Sequence, residues 1–206
     1  MQRNVPHNLI ALTAIEKIAS LGITVILQQR IGAFAVCLGL FESHLEGAIW
    51  KLRNEQVKGV RPSTDKMPVS DWLKLLAKGN DALSANANAV LSVAAIAADN
   101  LMDYRHSLFH GTLVGFPDGA FFLRNSQWHG EVRKRPQGDA GVSEELLDMA
   151  IETAWILFRV AVAIKQGNLD AALSAQLEAM KAEVKRARSF SGELRHLAIL
   201  ANNEKY

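Results

Sequence analysis

The sequence predicts a mainly α-helical protein: a bundle of about four long helices, with a β-hairpin inserted between two of them and a helical extension at the C-terminus. Three observations carry this. Apolar residues return every three or four positions through most of the 206 residues, the helical period. Residues 85–98 are rich in alanine, the best helix former and small enough for helices to approach closely. Only one segment, 112–124, alternates in the way of a strand pair around a Pro-Asp-Gly turn.

Taken in order, residues 5–27 carry a helical pattern through Leu9, Leu12, Ile15, Ala19 and Ile23, weakened near its end by Gly22 and Thr24. A second helix is predicted from Gln28 to Arg53 on Ile31, Phe34, Leu38, Phe41, Leu45, Ala48 and Leu52. Residues 18–41 are apolar enough to suggest a membrane span. Gln28-Gln29-Arg30 divide them into pieces too short to cross a bilayer, so they read as buried helix in a protein with no membrane association. Gly59 to Pro68 reads as loop. Ser70 is placed as the N-cap of a short helix, Asp71–Lys78, ended by Gly79.

The next long helix is predicted over 81–109, with Gly111 at its C-terminus, then strands Thr112–Phe116 and Ala120–Arg124. Residues 125–142 are polar and basic and read as loop. Ser143, followed by Glu144-Glu145, opens a helix running to Gln166, because acidic groups suit the positive helix end. Asn168 is placed as the cap of a further helix to Arg188, with a short last helix at Glu193–Ala201. The whole is one domain, with its core at 28–166 and its extension at 168–201.

Composition excludes several classes. About half of the residues are apolar, 21% are charged, and the net charge is +2, so overall charge does not announce a nucleic-acid binder. A single cysteine, Cys37, excludes an internal disulfide and a multi-cysteine metal site. It reads as a buried, inert thiol and fits a cytoplasmic location. The histidines at 7, 44, 106, 110, 129 and 196 are scattered. Only His106 and His110 have ligand spacing, without an acidic or cysteine partner, so neither a metal nor a cofactor is expected. Phosphate-binding glycine loops are absent.

The densest chemistry lies at 103–111, Asp-Tyr-Arg-His-Ser-Leu-Phe-His-Gly. Arginine offers a permanently charged planar fork that matches phosphate. Histidine carries the proton that moves near neutral pH. On an ideal helix Arg105 and His110 stand about 140° apart, whereas His106 and His110 share a face. Two arrangements reconcile Arg105 with His110: a last turn loosened at Gly111, or a second copy of the motif supplied by a partner chain. Histidine and arginine near a helix end also serve simply to satisfy free carbonyls.

Two basic clusters lie elsewhere. Arg124, Arg133, Lys134 and Arg135 surround Trp128 and His129, a mixture that suits single-stranded nucleic acid, where bases stack and phosphates pair, and that is equally the composition of a solvated loop. Lys181, Lys185, Arg186, Arg188 and Arg195 are diluted by Glu178 and Glu183 and read as a solvated helix face.

The run Tyr104-Arg105-His106-Ser107-Leu108-Phe109-His110-Gly111 resembles the signature of HEPN-domain proteins: an arginine, a polar residue, three more residues, then a histidine, often with a glycine next. The upstream Leu40-Phe41-Glu42-Ser43-His44-Leu45-Glu46 resembles the family's early helix, where an acidic residue can face the motif. The resemblance covers about residues 28–166. It implies a helical bundle and metal-independent RNA cleavage at a homodimer interface, in stress response, toxin–antitoxin systems or anti-phage defence, with a possible antitoxin or regulatory protein as partner. Arg105, His110 and His106 would be the catalytic residues and Glu42 and Asp103 their supports. Members paired with a nucleotidyltransferase antitoxin often carry a tyrosine two places after the histidine. Thr112 stands there, so that subgroup's antitoxin chemistry is not carried over. The other readings are a non-catalytic HEPN-like dimer that binds nucleotide or protein, and a helical scaffold whose motif is a helix cap.

Overall fold

A computed structural model of the chain describes residues 7–56, 59, 64–116, 119–124 and 138–203. Its architecture is mainly α, a helical bundle with a small antiparallel sheet inserted after the fourth helix. The helices are α1 (His7–Ser20), α2 (Val25–Leu52), α3 (Val69–Lys78), α4 (Ala85–His110), α5 (Glu144–Gln166), α6 (Ala171–Ala179) and α7 (Lys181–Asn203). The strands are β1 (Thr112–Phe116), β2 (Gly119–Leu123) and β3 (Ala140–Val142).

The bundle is built from α2, α4, α5 and α7. Helix α5 packs along α2 on one side and against α7 on the other, and α4 completes the group against α7. Phe34, Phe41, Leu45 and Ile49 of α2 meet Leu147, Leu157 and Ile164 of α5 in a core where none of these side chains is more than 1% exposed. On α4 the predicted alanines do the predicted work. Ala87, Ala94, Ala97 and Ala98 are fully buried, and a methyl at those positions lets the neighbouring helices come close. Short polar side chains start four helices. Thr24, Ser84, Ser143 and Asp170 each accept a hydrogen bond from the backbone N–H three residues on, satisfying one of the amides a helix start leaves free.

The sheet runs β1-β2-β3 and is antiparallel throughout. The hairpin has the expected register, with Thr112 opposite Leu123 and Val114 opposite Phe121. Strand β3, at the end of the segment read as loop, adds Ala140 opposite Phe122 and Val142 opposite Ala120.

Several boundaries differ from the sequence reading. The first predicted helix stops at Ser20, because Gly22 adopts a left-handed φ of +93° and Thr24 then starts α2. Pro68 precedes α3, so Ser70 lies inside its first turn and does not cap it. Asp170, not Asn168, caps α6, which ends at Met180; the two C-terminal segments read as separate are largely one helix, α7.

The apolar N-terminal stretch is also not the buried helix expected. Helix α2 has the length and apolarity of a membrane span and packs on α5 and α3, yet another side of it is left uncovered among the described residues. Val25, Ile26 and Val36 there are 55%, 48% and 63% exposed. Cys37 is half-buried rather than buried, and burial raises its thiol above the ordinary value.

Candidate active site

The nine-residue motif forms the last two and a half turns of α4, at the junction with the sheet. One face of the helix is anchored. Tyr104 and Leu108 are 2% exposed, and the phenol of Tyr104 donates to the carbonyl of Gly141 at 3.0 Å. Burial pushes that phenol far above its ordinary proton affinity, so it remains a donor. Ser107 is buried too. Its hydroxyl lies 2.5 Å from the carbonyl oxygen of Gly138 and 3.1 Å from that of Asp103. These contacts fix the rotation of the helix and leave Asp103, His106 and His110 exposed and Arg105 half-buried.

The helix stays regular to its end. The N–H of Gly111 donates to the carbonyl of Ser107 at 2.9 Å, and Gly111 has an ordinary φ of −78°. The expected loosening of the last turn is therefore absent. Glycine is required here for space: a Cβ would lie 2.5 Å from the Ser107 carbonyl oxygen and 2.8 Å from Cβ of Phe122.

The rings of His106 and His110 face each other across one turn, their centroids 6.0 Å apart. The proton affinity of His106 is lowered, first by burial and then by the charges of Arg105, Arg124 and His110, with Asp103 acting in the opposite sense. Arg105 therefore lies within electrostatic reach of His106. Among the described residues no hydrogen bond or ion pair joins Glu42 to Arg105 or His110. The support placed there by the sequence is not drawn into the motif.

Two arginines from distant elements reach it instead. The Nη1 of Arg124, beyond β2, donates to the carbonyl oxygen of His106 at 2.7 Å, which ties the residue after β2 to the last turns of α4. The Arg124 backbone N–H is held by the buried carboxylate of Asp139 at 2.7 Å. Arg195 of α7 sends Nη1 to Oδ1 of Asn100 at 2.9 Å and places Nε 3.4 Å from Asp103. Asp103 thus meets Arg195, and its charge also acts on His106. Arg195 is exposed, as the solvated face assigned to it requires, and also joins Asn100 and Asp103. Nothing in its local sequence marks it, since only the packing of α7 on α4 brings it there.

Trp128, Arg133, Lys134 and Arg135, the rest of the basic cluster around Arg124, lie outside the described residues. Among the described residues no three histidine, cysteine or acidic side chains come together as a metal site would require. Comparison with family models, curated proteins and solved structures finds no match.

Proposed function

We propose that this protein is a metal-independent endoribonuclease of the HEPN type, acting as a homodimer in stress response, toxin–antitoxin function or anti-phage defence. The observation that carries the reading is the facing pair His106 and His110, both exposed in the last turns of α4, with His106 held below its ordinary proton affinity first by burial and then by the charges of Arg105 and Arg124. A neutral imidazole at neutral pH is a proton acceptor. His106 takes the proton from an RNA 2′-hydroxyl, whose oxygen bonds to the adjacent phosphorus. The bond from phosphorus to the 5′-oxygen breaks, and His110 delivers a proton to that leaving oxygen. The products are a 2′,3′-cyclic phosphate and a 5′-hydroxyl. Arg105 holds the phosphate oxygens as charge builds on them. A 2′-hydroxyl requirement limits the substrate to RNA. Because α4 is regular, Arg105 and His110 of one chain point in different directions. A second copy brings the complementary set.

The test is cleavage of a labelled single-stranded RNA in the presence of a chelator. The native protein should cut it and leave a cyclic phosphate, and should spare the same sequence with 2′-O-methyl sugars. His110→Ala should lower the rate by about 10²–10⁴, the worth of a placed proton carrier, and Arg105→Ala by a similar factor. Undiminished turnover in both variants sinks the reading.

A second reading, a non-catalytic dimer that binds nucleotide or a regulatory protein, is favoured by the exposed apolar side chains of α1 and α2. Bound nucleotide without turnover would mark it.

A further inference from the structure

Beside the motif, between the C-terminal half of α4 and α7, lies a cleft of about 130 Å³. One side is polar, with Asp103, His106 and Arg195. The other is apolar, with Ala198 and Ile199, and Ser107 and Gly138 also line it. We propose that this cleft is a nucleobase subsite that selects guanine in the nucleotide next to the bond cut at Arg105, His106 and His110, a proposal that rests on the ribonuclease reading.

The lining decides between a base and a phosphate. A carboxylate at the mouth opposes an anion, and an apolar wall offers a phosphate nothing. A planar base wants both, a wall for its face and polar groups for its edge. Ser107 is not free to read the base, since its hydroxyl is taken up by the carbonyls of Gly138 and Asp103. Reading falls to Asp103 and Arg195. Arg195 is held in place through the oxygen of Asn100, a side chain that is itself buried. Its Nε stands 3.4 Å from the Asp103 carboxylate, longer than the about 2.7–2.9 Å of a closed charge-assisted hydrogen bond. The two groups are thus adjacent but not locked together.

Guanine fits that pair. Along one edge it presents an amino group, a ring N–H and a carbonyl oxygen. The first two suit the two oxygens of Asp103, and the third suits the guanidinium of Arg195. Adenine and cytosine place an unprotonated ring nitrogen against the carboxylate. Uracil offers one N–H between two carbonyls. His106 lines the cleft and also faces His110, so a base bound here belongs to a nucleotide flanking the scissile phosphate.

The experiment is calorimetric titration of the full-length protein with the four nucleoside 3′-monophosphates, repeated on Asp103→Asn and Arg195→Ala, alongside mapping of the cut positions in a mixed-sequence RNA. Guanosine 3′-monophosphate should bind the native protein about ten- to hundredfold more tightly than the other three, the discrimination that paired edge contacts give. Either substitution should remove that advantage and leave the other three nucleotides unchanged. Equal binding of all four, binding of none, or a preference that survives both substitutions overturns the subsite. The native four-way comparison stands even where a variant fails to fold. Selective guanosine binding without RNA cleavage keeps the subsite and removes the ribonuclease reading. Cleavage without base preference, with equal nucleotide binding, does the reverse.

Discussion

At position 106 burial and three nearby cationic groups act in the same direction. Each disfavours the imidazolium, and only Asp103, one turn away, opposes them. The folded value therefore lies below the ordinary 6.5, while the unfolded chain titrates near it. Above pH 6.5 the ring is neutral in both states and costs the fold nothing. As pH falls from 6.5 through the folded value, the unfolded chain takes up the proton first, so this residue's contribution turns against folding across that window. The acid limb of the RNA cleavage profile should lie in the same window. Titration of the His106 ring by NMR should give a midpoint below 6.5, and Arg124→Gln should move it upward by removing one of the opposing charges. A midpoint at or above 6.5 in the native protein would contradict the assignment of His106 as the proton acceptor. The grouping of Arg105, His106 and His110 is legible as sequence because six adjacent positions and a helical period suffice to relate them. Arg195 was not, since its meeting with Asn100 and Asp103 is a product of α7 lying on α4.

The turn from α4 into β1 shows how much of an element a sequence can state. The glycine at 111 was readable as a helix end, but the reason was not. Its φ is ordinary, and what excludes a side chain is the Ser107 carbonyl oxygen together with Phe122 of β2, 2.5 and 2.8 Å from where a methyl would stand. Gly111→Ala should therefore destabilise the protein by about 1–3 kcal/mol, as an overpacked site does, with a lower thermal midpoint as the readout. An unchanged midpoint would show that the junction has slack. The same logic covers the other departures. The caps at Ser143 and Ser84 lie where polar residues precede strong helical periods. Strand β3 spans three residues, too few for an alternating pattern, and exists because β2 has an edge to offer. The break at Met180 has an αR cap and neither glycine nor proline, so no local signal announces it.

At the scale of the whole molecule, α1 stands apart from the bundle among the described residues. It has 14 residues, a length at which an isolated helix is marginal in water, and it has no substantial packing partner among the described residues. Its base is fixed by the turn at 21–22, which sits against Gly115 and Ala120 of the sheet. Beyond that turn, Ile10, Leu12, Ile15 and Ile18 are between 39% and 59% exposed. Val25, Ile26 and Val36 of α2 extend the apolar surface, and Gly32 and Gly39 have open space where a Cβ would stand, so another helix can approach the α2 backbone closely. Phe109, next to His110, is 40% exposed and stacks on Phe34 of α2, which ties α2 to the end of the motif. Half-exposed large side chains spread over two helices are the kind of surface that a stable interface, about 800 Å² per partner, covers. A second copy is the occupant that would also answer the divergence of Arg105 and His110. Light scattering at micromolar concentration should give twice the chain mass for the native protein and the single mass for Ile26→Glu and Val36→Glu, with RNA cleavage falling in step. A native monomer that instead floats with lipid vesicles would make the same surface a membrane face, and the site would then have to work from one copy of the motif, with Arg105 and His110 on different sides of a regular helix.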